Sequence, residues 1–118
     1  MADVPCTGLG ALRRRPESRW RRRPDDVAAL TGLQEALLLS ALASAAPGGL
    51  VAYVTCSPHH AETVDVVEAA LAATPREVTI ERAADWLEVP DSELGSFVQL
   101  WPHRHGTDAM FLALLRVA

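Results

Sequence analysis

The segment LVAYVTCSP, residues 50–58, is the most informative part of the chain. Its first seven residues form an almost unbroken apolar run, which is typical of a strand buried on both faces of a sheet. The run ends in Cys56, and Pro58 prevents the strand from continuing. A thiol in this position is either a packed core side chain or a nucleophile held at the rim of a sheet.

Strands and helices alternate on both sides of this segment. Apolar residues recur at helical spacing over 25–45 and 60–73, and β-branched or apolar runs cover 1–4, 76–83, 97–102 and 110–117. The last two runs flank the short segment HRHGTDA, residues 103–109, which predicts a hairpin-like connection. The order indicates one α/β domain with parallel crossover connections and an antiparallel pair at the edge of its sheet.

The two cysteines of the chain both follow predicted strands. Cys6 comes after the strand at 1–4 and Cys56 after the strand at 50–56. Ligands of such sheets bind beyond the carboxyl ends of the strands, so neighbouring strands would bring both thiols to one crevice. Packed cysteines remain the simpler interpretation of either residue alone. The pair favours a reactive site, because an accessible thiolate is the form of cysteine that acts as a nucleophile.

A basic cluster suggests a polyanionic partner. The net charge is -4, yet seven of the eleven basic residues lie within residues 13–23, in the segment RRRPESRWRRR. Such a run is either a solvated loop or a surface for phosphates and stacked bases. A second candidate surface lies in the loop at 103–109. The predicted RNA-binding residues are Arg13, Arg14, Arg15, Arg19, Trp20, Arg21, His103, Arg104 and His105.

Composition excludes several other classes of protein. The chain has 118 residues, 49% of them hydrophobic, which is enough for one core and too little for two domains. There is no secretory signal and no apolar stretch near the roughly 20 residues that span a bilayer, so we expect a soluble, cytoplasmic protein without membrane contact. In that compartment a Cys6–Cys56 disulfide is not expected. The spacing of cysteines and histidines argues against zinc, and we predict no metal site.

Four motifs together resemble one family. DVPCTGLG, residues 3–10, is similar to the D-A-P-C-S/T-G-x-G motif of the RNA 5-methylcytosine methyltransferases of the Fmu/Sun/NOL class, the RsmB-like enzymes. Thr55-Cys56-Ser57 resembles their T-C-S motif. Residues 13–22 are similar to their arginine, proline and tryptophan segment, and residues 99–115 to their C-terminal motif. The motifs occur in the family's order and span nearly the entire chain.

The resemblance implies a fold, a cofactor and a role for each motif residue. The fold would be the C-terminal half of a Rossmann-like methyltransferase sheet, the cofactor S-adenosylmethionine, and the substrate a cytosine in RNA, with ribosomal RNA expected. Cys56 would add to carbon 6 of the cytosine as the nucleophile, and Cys6 would assist release of the product. Asp3 would lie near the cofactor and the target base.

The chain departs from the family pattern in three ways. Val4 replaces an alanine, and Glu62-Thr63 stands where many members carry Glu-Asn. The glycine-rich cofactor loop and the ribose-binding acidic residue precede the D-A-P-C motif in the family and do not occur here. We therefore expect the second half of a catalytic domain that is inactive by itself. Two alternatives remain open: a non-catalytic RNA-binding remnant that uses residues 13–23, and a truncated product that folds poorly.

Overall fold

The computed structural model describes residues 1–6 and 24–118. Three α-helices lie in these ranges, and two short 3-10 turns occupy His60–Glu62 and Ala83–Asp85. The helices are α1 (Pro24–Ser44), α2 (Val64–Ala73) and α3 (Pro102–His105). The strands are β1 (Ala2–Asp3), β2 (Leu50–Thr55), β3 (Val78–Glu81), β4 (Glu93–Leu94), β5 (Phe97–Leu100) and β6 (Met110–Val117).

All six strands form one sheet, and β6 is its most connected member. β6 pairs antiparallel with β2 on one side, and with β3 and β5 on the other. β1 extends the sheet beyond β2 as a parallel neighbour, and β4 extends it beyond β5. The α/β fold class predicted from the sequence is confirmed. The sheet is mostly antiparallel by pairing, with one parallel pair among the described strands.

The position of β6 differs from the expectation of an antiparallel edge. β2 and β3 run in the same direction, as the crossover through α2 predicts, because both are antiparallel to β6. β6 is inserted between them, so these two strands do not pair directly. Its apolar sequence, MFLALLRV, explains the insertion: Phe111 and Leu115 are buried on one face and Leu114 on the other. Apolar side chains on both faces are typical of a strand in the interior of a sheet.

The helices α1 and α2 cover one face of the sheet. Leu38 and Leu42 of α1 and Val67 of α2 are fully buried there against Tyr53 and Phe111 of the strands. Phe111 contacts Tyr53 edge-on, with ring centroids 6.2 Å apart. This aromatic contact lies close to the carboxyl end of β2, because Thr55 pairs with Phe111. The core therefore supports the end of the sheet that carries the cysteines.

A second apolar face of α1 is left uncovered by the described residues. Leu33 and Leu37, two of the apolar residues that recur at helical spacing over 25–45, are 46% and 39% exposed. Leu37 and Ala41 line a groove with the backbone segment that contains β1. β1 pairs with β2 as its one described neighbour in the sheet. Its other edge lies beside this face of α1, across the groove.

Candidate functional site

Two strand ends bring the cysteines together. β1 and β2 are parallel neighbours in which Asp3 pairs with Val54, and the Val4 N–H donates to the Val54 carbonyl at 3.2 Å. The strands therefore end at the same edge of the sheet. Two residues beyond Val4 and Val54, the Cys6 thiol donates to the carbonyl oxygen of Cys56 at 3.5 Å. Both side chains are half-buried, and no disulfide joins them.

The start of β6 closes the third side of this edge. Met110 is the first residue of β6, and its sulfur accepts a hydrogen bond from the Cys56 thiol, with the two sulfur atoms 3.2 Å apart. Leu100, at the end of β5, pairs with Met110, so β5 also ends here. The edge thus combines the carboxyl ends of β1, β2 and β5 with the beginning of β6.

A fully buried polar cluster lies beneath the two cysteines. The Ser57 hydroxyl donates to Oε2 of Glu62 at 2.5 Å, and Nε2 of Gln34 lies 3.3 Å from Oε1 of the same carboxyl group. Nε2 of Gln34 also donates to the Pro5 carbonyl at 2.9 Å. The Gln34, Ser57 and Glu62 residues have no solvent-exposed surface. The cluster therefore links the residue before Cys6 to the residue after Cys56.

The hydroxyl of Tyr53 joins the same cluster from β2. It donates to the backbone carbonyl of Glu62 at 2.6 Å. Burial raises the pKa of the Tyr53 hydroxyl above its ordinary value of 10.0, and the nearby Glu62 and Cys6 add to the rise. The proton of this hydroxyl is accordingly held firmly throughout the physiological range.

The predicted RNA-binding residues of the C-terminal motif lie at this edge too. α3 joins β5 to β6, and His103 and Arg104 on it are exposed. His105 is placed differently. Its Nδ1 accepts from the Trp101 N–H at 2.9 Å, which leaves the proton on Nε2 to donate to the Pro90 carbonyl at 2.8 Å. Both ring nitrogens of His105 therefore hold the turn in place, whereas His103 and Arg104 face solvent.

The predicted cofactor residue Asp3 is exposed on β1. Strand alternation places its side chain on the face opposite to Val4, which is buried. Asp3 lines a groove of ≈ 320 Å³ formed by 1–4 and α1. Its carboxylate could accept hydrogen bonds from the amino or hydroxyl groups of S-adenosylmethionine. The role of Asp3 as a cofactor residue stays a prediction.

Several predictions lie outside the described residues. Arg13, Arg14, Arg15, Arg19, Trp20 and Arg21 are among them, and their roles stay predictions. Within the described ranges, no group of three or more histidine, cysteine or acidic side chains could hold a metal ion. No helix in these ranges combines the length and apolar character needed to cross a bilayer.

Sequence reasoning assigned no role to Gln34 or to the carboxyl group of Glu62. A signal existed for Gln34: it stands four and eight residues before Leu38 and Leu42, so it shares their buried helix face. A lone amide on such a face requires a hydrogen-bond partner. No sequence signal identifies that partner, since Glu62 lies 28 residues away.

The chain is similar to known proteins over nearly its whole length. A family model described as 16S rRNA methyltransferase RsmB/F matches residues 1–116. A protein of Mycobacterium tuberculosis named as a methyltransferase is 58% identical over 116 residues, which are 98% of this chain and 25% of that protein. Ribosomal RNA small subunit methyltransferase F of Serratia proteamaculans is 30% identical over 118 residues, with coverage of 98% and 25%.

Solved structures share the fold. The crystal structure of NSun6 from Pyrococcus horikoshii with SFG superimposes with a TM-score of 0.78 and 26% sequence identity, over 97% of this chain and 28% of that one. The fold and its structural neighbours define the class: a methyltransferase of Rossmann-like fold. Within that class, the chain belongs to the RsmB/F family of 16S rRNA methyltransferases, which depend on S-adenosylmethionine. It spans about a quarter of the length of the curated relatives it matches.

Proposed function

We propose that this chain carries the two-cysteine half of an RNA cytosine-5 methyltransferase that acts on ribosomal RNA. The observation that carries the proposal is the contact of the Cys6 thiol with the Cys56 carbonyl, 3.5 Å away at the shared edge of two parallel strands. The match to a family of 16S rRNA methyltransferases supports the class of substrate.

Cys56 is the nucleophile in this proposal. Carbon 5 of cytosine is a poor nucleophile, and addition of the Cys56 thiolate to carbon 6 converts the ring into an enamine that is reactive at carbon 5. S-adenosylmethionine, when bound, supplies an electrophilic methyl group. The half-buried thiol and the Met110 side chain beside it limit the access of water to the sulfur. Asp3, near the target base, would hold the ring nitrogen or the exocyclic amine and stabilise the adduct.

Cys6 completes the cycle by assisting elimination. A base removes the proton from carbon 5, the double bond between carbons 5 and 6 forms again, and the bond from carbon 6 to the Cys56 sulfur breaks. Cys6 suits this role because its thiol lies against the backbone of Cys56 and follows a different strand. The two sulfur atoms can therefore approach one ring from separate turns.

RNA reaches the edge through exposed basic groups. His103 and Arg104 face solvent on α3, next to the start of β6, and the arginine-rich segment at 13–23 is predicted to add further phosphate contacts. The target base must leave its stack to reach the cysteines, which costs least in single-stranded or loop RNA. Localisation in the cytoplasm, where ribosomal RNA is available, stays part of this proposal.

The chain alone does not methylate RNA in this proposal. It spans about a quarter of the length of its relatives, and the glycine-rich cofactor loop expected of the family does not occur in its sequence. Isothermal titration calorimetry of the 118-residue chain with S-adenosylmethionine should show no saturable binding at micromolar concentrations. Tight binding would contradict this part of the proposal and leave the roles of the cysteines intact.

The roles of the cysteines are tested by trapping the adduct. In a chimera, this chain replaces the matching quarter of the Mycobacterium tuberculosis relative, and the protein is incubated with RNA that contains 5-azacytosine. Cys56→Ala should abolish the covalent complex on a denaturing gel, because Cys56 is the thiol that adds to carbon 6 in this proposal. Cys6→Ala, the matched control, should retain the complex and accumulate it with ordinary RNA. The opposite pattern would exchange the two roles.

A second candidate is an RNA-binding module without catalysis. It is favoured by the exposure of His103 and Arg104 in a chain whose described residues do not enclose a cofactor. Arg104→Ala should then lower the slope of log affinity against log salt by about 1, since one phosphate contact is lost. RNA affinity that does not depend on salt would exclude this candidate.

A further inference from the structure

The turn that carries Cys6 is weakly held by backbone pairing. β1 consists of two residues, with β2 as its one described neighbour, and the Val4 N–H adds a single further bond to β2. Beyond that bond, the Pro5 carbonyl receives its hydrogen bond from a side chain, that of Gln34 on α1. The position of Cys6 therefore depends on a residue that lies 28 positions along the chain.

The turn that carries Cys56 is tied to the same group. Ser57 follows Cys56 directly, and its hydroxyl forms two hydrogen bonds. It donates to Glu62 and accepts from the His59 N–H at 3.0 Å. This arrangement fixes the orientation of the hydroxyl and the path of the turn. Glu62 in turn contacts Gln34, so one buried carboxyl group lies between the two cysteine turns.

The two hydrogen-bond partners of Gln34 set the orientation of its side-chain amide. Both of its partners, the Pro5 carbonyl and the Glu62 carboxyl, are acceptors, so the NH₂ group must face them. Its Oε1 is consequently buried and has no hydrogen-bond partner among the described residues. A buried acceptor without a donor is unfavourable. The link between the two turns is formed in spite of that cost.

We propose that Gln34 and Glu62 are positioning residues that couple the Cys6 turn to the Cys56 turn. Neither residue reacts. Gln34 holds Pro5, Glu62 holds Ser57, and their mutual contact keeps the two thiols at a constant separation. The importance of that separation for catalysis rests on the function proposed above. The coupling of the two turns does not, because it can be measured as the rate at which each cysteine is alkylated.

The test is site-resolved alkylation of the 118-residue chain by iodoacetamide, with the rate at each cysteine read by peptide mass spectrometry. Ser57→Ala should raise the rate at Cys56 about fivefold and leave Cys6 unchanged, because one hydrogen bond restraining that turn is lost. Gln34→Leu should raise the rate at Cys6 and leave Cys56 unchanged. Glu62→Ala should raise both rates.

Two further variants separate positioning from general destabilisation. Thr31→Ala, on α1 one turn before Gln34, removes a hydroxyl that bonds to its own helix at Ala28, and it should change neither rate. Glu62→Gln keeps an acceptor for Ser57 and sets an amide NH₂ against that of Gln34. It should therefore raise the rate at Cys6 and leave Cys56 unchanged.

Selective changes in the Ser57 and Gln34 variants, together with faster alkylation of both cysteines in Glu62→Ala, would support the positioning roles and the shared carboxyl group, with circular dichroism confirming that each variant is folded at the temperature used. Equal acceleration at both cysteines in the Ser57 and Gln34 variants would overturn it, as would no change in any variant. If the pattern holds and the 5-azacytosine adduct does not form, the coupling stands and the proposed function fails. If the adduct forms and the pattern is absent, the function stands and the positioning roles fail.

Discussion

The Cys6 turn and the Cys56 turn have similar sequences and very different supports. Cys56 follows a six-residue strand that pairs with β1 on one side and with β6 on the other. Cys6 follows a two-residue strand at the end of the described sheet. The backbone ladder therefore supports Cys56 from both sides, in addition to the Ser57 hydroxyl, whereas Cys6 depends mainly on a side chain of α1. The proposed nucleophile lies on the more rigid of the two supports, where precise placement of the reacting atom matters most.

The largest effects are expected from removing the buried side chain beneath each turn. Phe111 is fully buried below the Cys56 turn and contacts Tyr53 and Phe97. Phe111→Ala should lower the free energy of unfolding by about 3–5 kcal/mol, because a large cavity forms in the core. Val4→Ala, below the Cys6 turn, should cost only about 1–2 kcal/mol for two buried methyl groups.

Urea denaturation followed by circular dichroism measures both changes. Leu94→Ala is the control for loss of apolar side-chain volume, since Leu94 is 40% exposed, and it should have little effect. A larger loss for Val4→Ala than for Phe111→Ala would reverse the assignment of the stronger support to the Cys56 turn.

A smaller effect is expected for Tyr53, which lies between the two turns. Tyr53→Phe removes the hydrogen bond to the Glu62 carbonyl and should cost about 1 kcal/mol. The effect depends on pH. Because the pKa of Tyr53 is raised in the folded state, the unfolded chain loses this proton first, and stability should fall as pH rises above 10.0. Below that pH the contribution of Tyr53 is fully present.

The titration is simple to follow because the chain contains one tyrosine and no lysine. Tyrosinate absorbance should appear only as the protein unfolds in alkali. In Tyr53→Phe the loss of stability with pH should be shallower. Ordinary titration of the tyrosine near pH 10.0 in the folded protein would show that its hydroxyl is not held as the structure indicates.

The smallest effect is expected at the uncovered face of α1. Leu37 is 39% exposed and lines the groove beside β1. Leu37→Gln in the 118-residue chain should change stability by no more than about 0.5 kcal/mol, as exposed substitutions do. In the chimera with the upstream part of the relative, the same change should cost more if that part covers the groove. Equal effects in both proteins would show that the groove stays open.

Sequence patterns predicted the elements well and their arrangement less well. The helix predicted over 25–45 is α1, Pro24–Ser44, and the apolar run at the start of the 50–58 segment is β2. The place of β6 was not predicted, because pairing is decided between segments far apart in the chain. For the same reason the exposure of Leu33 and Leu37 was not predicted, because helical spacing identifies apolar residues on a helix and does not show which of them find a partner.

The same distinction between local features and long-range contacts applies to the candidate site. The sequence by itself determined the chemical groups, their order and the family, because strand ends and motif residues are local features of the chain. Only the tertiary structure decided that the Cys6 thiol meets the Cys56 carbonyl, that His105 binds the Pro90 carbonyl, and that Gln34 and Glu62 share a buried contact. These contacts join residues distant in sequence, and burial makes a hydrogen bond obligatory for the polar groups of Gln34 and Glu62.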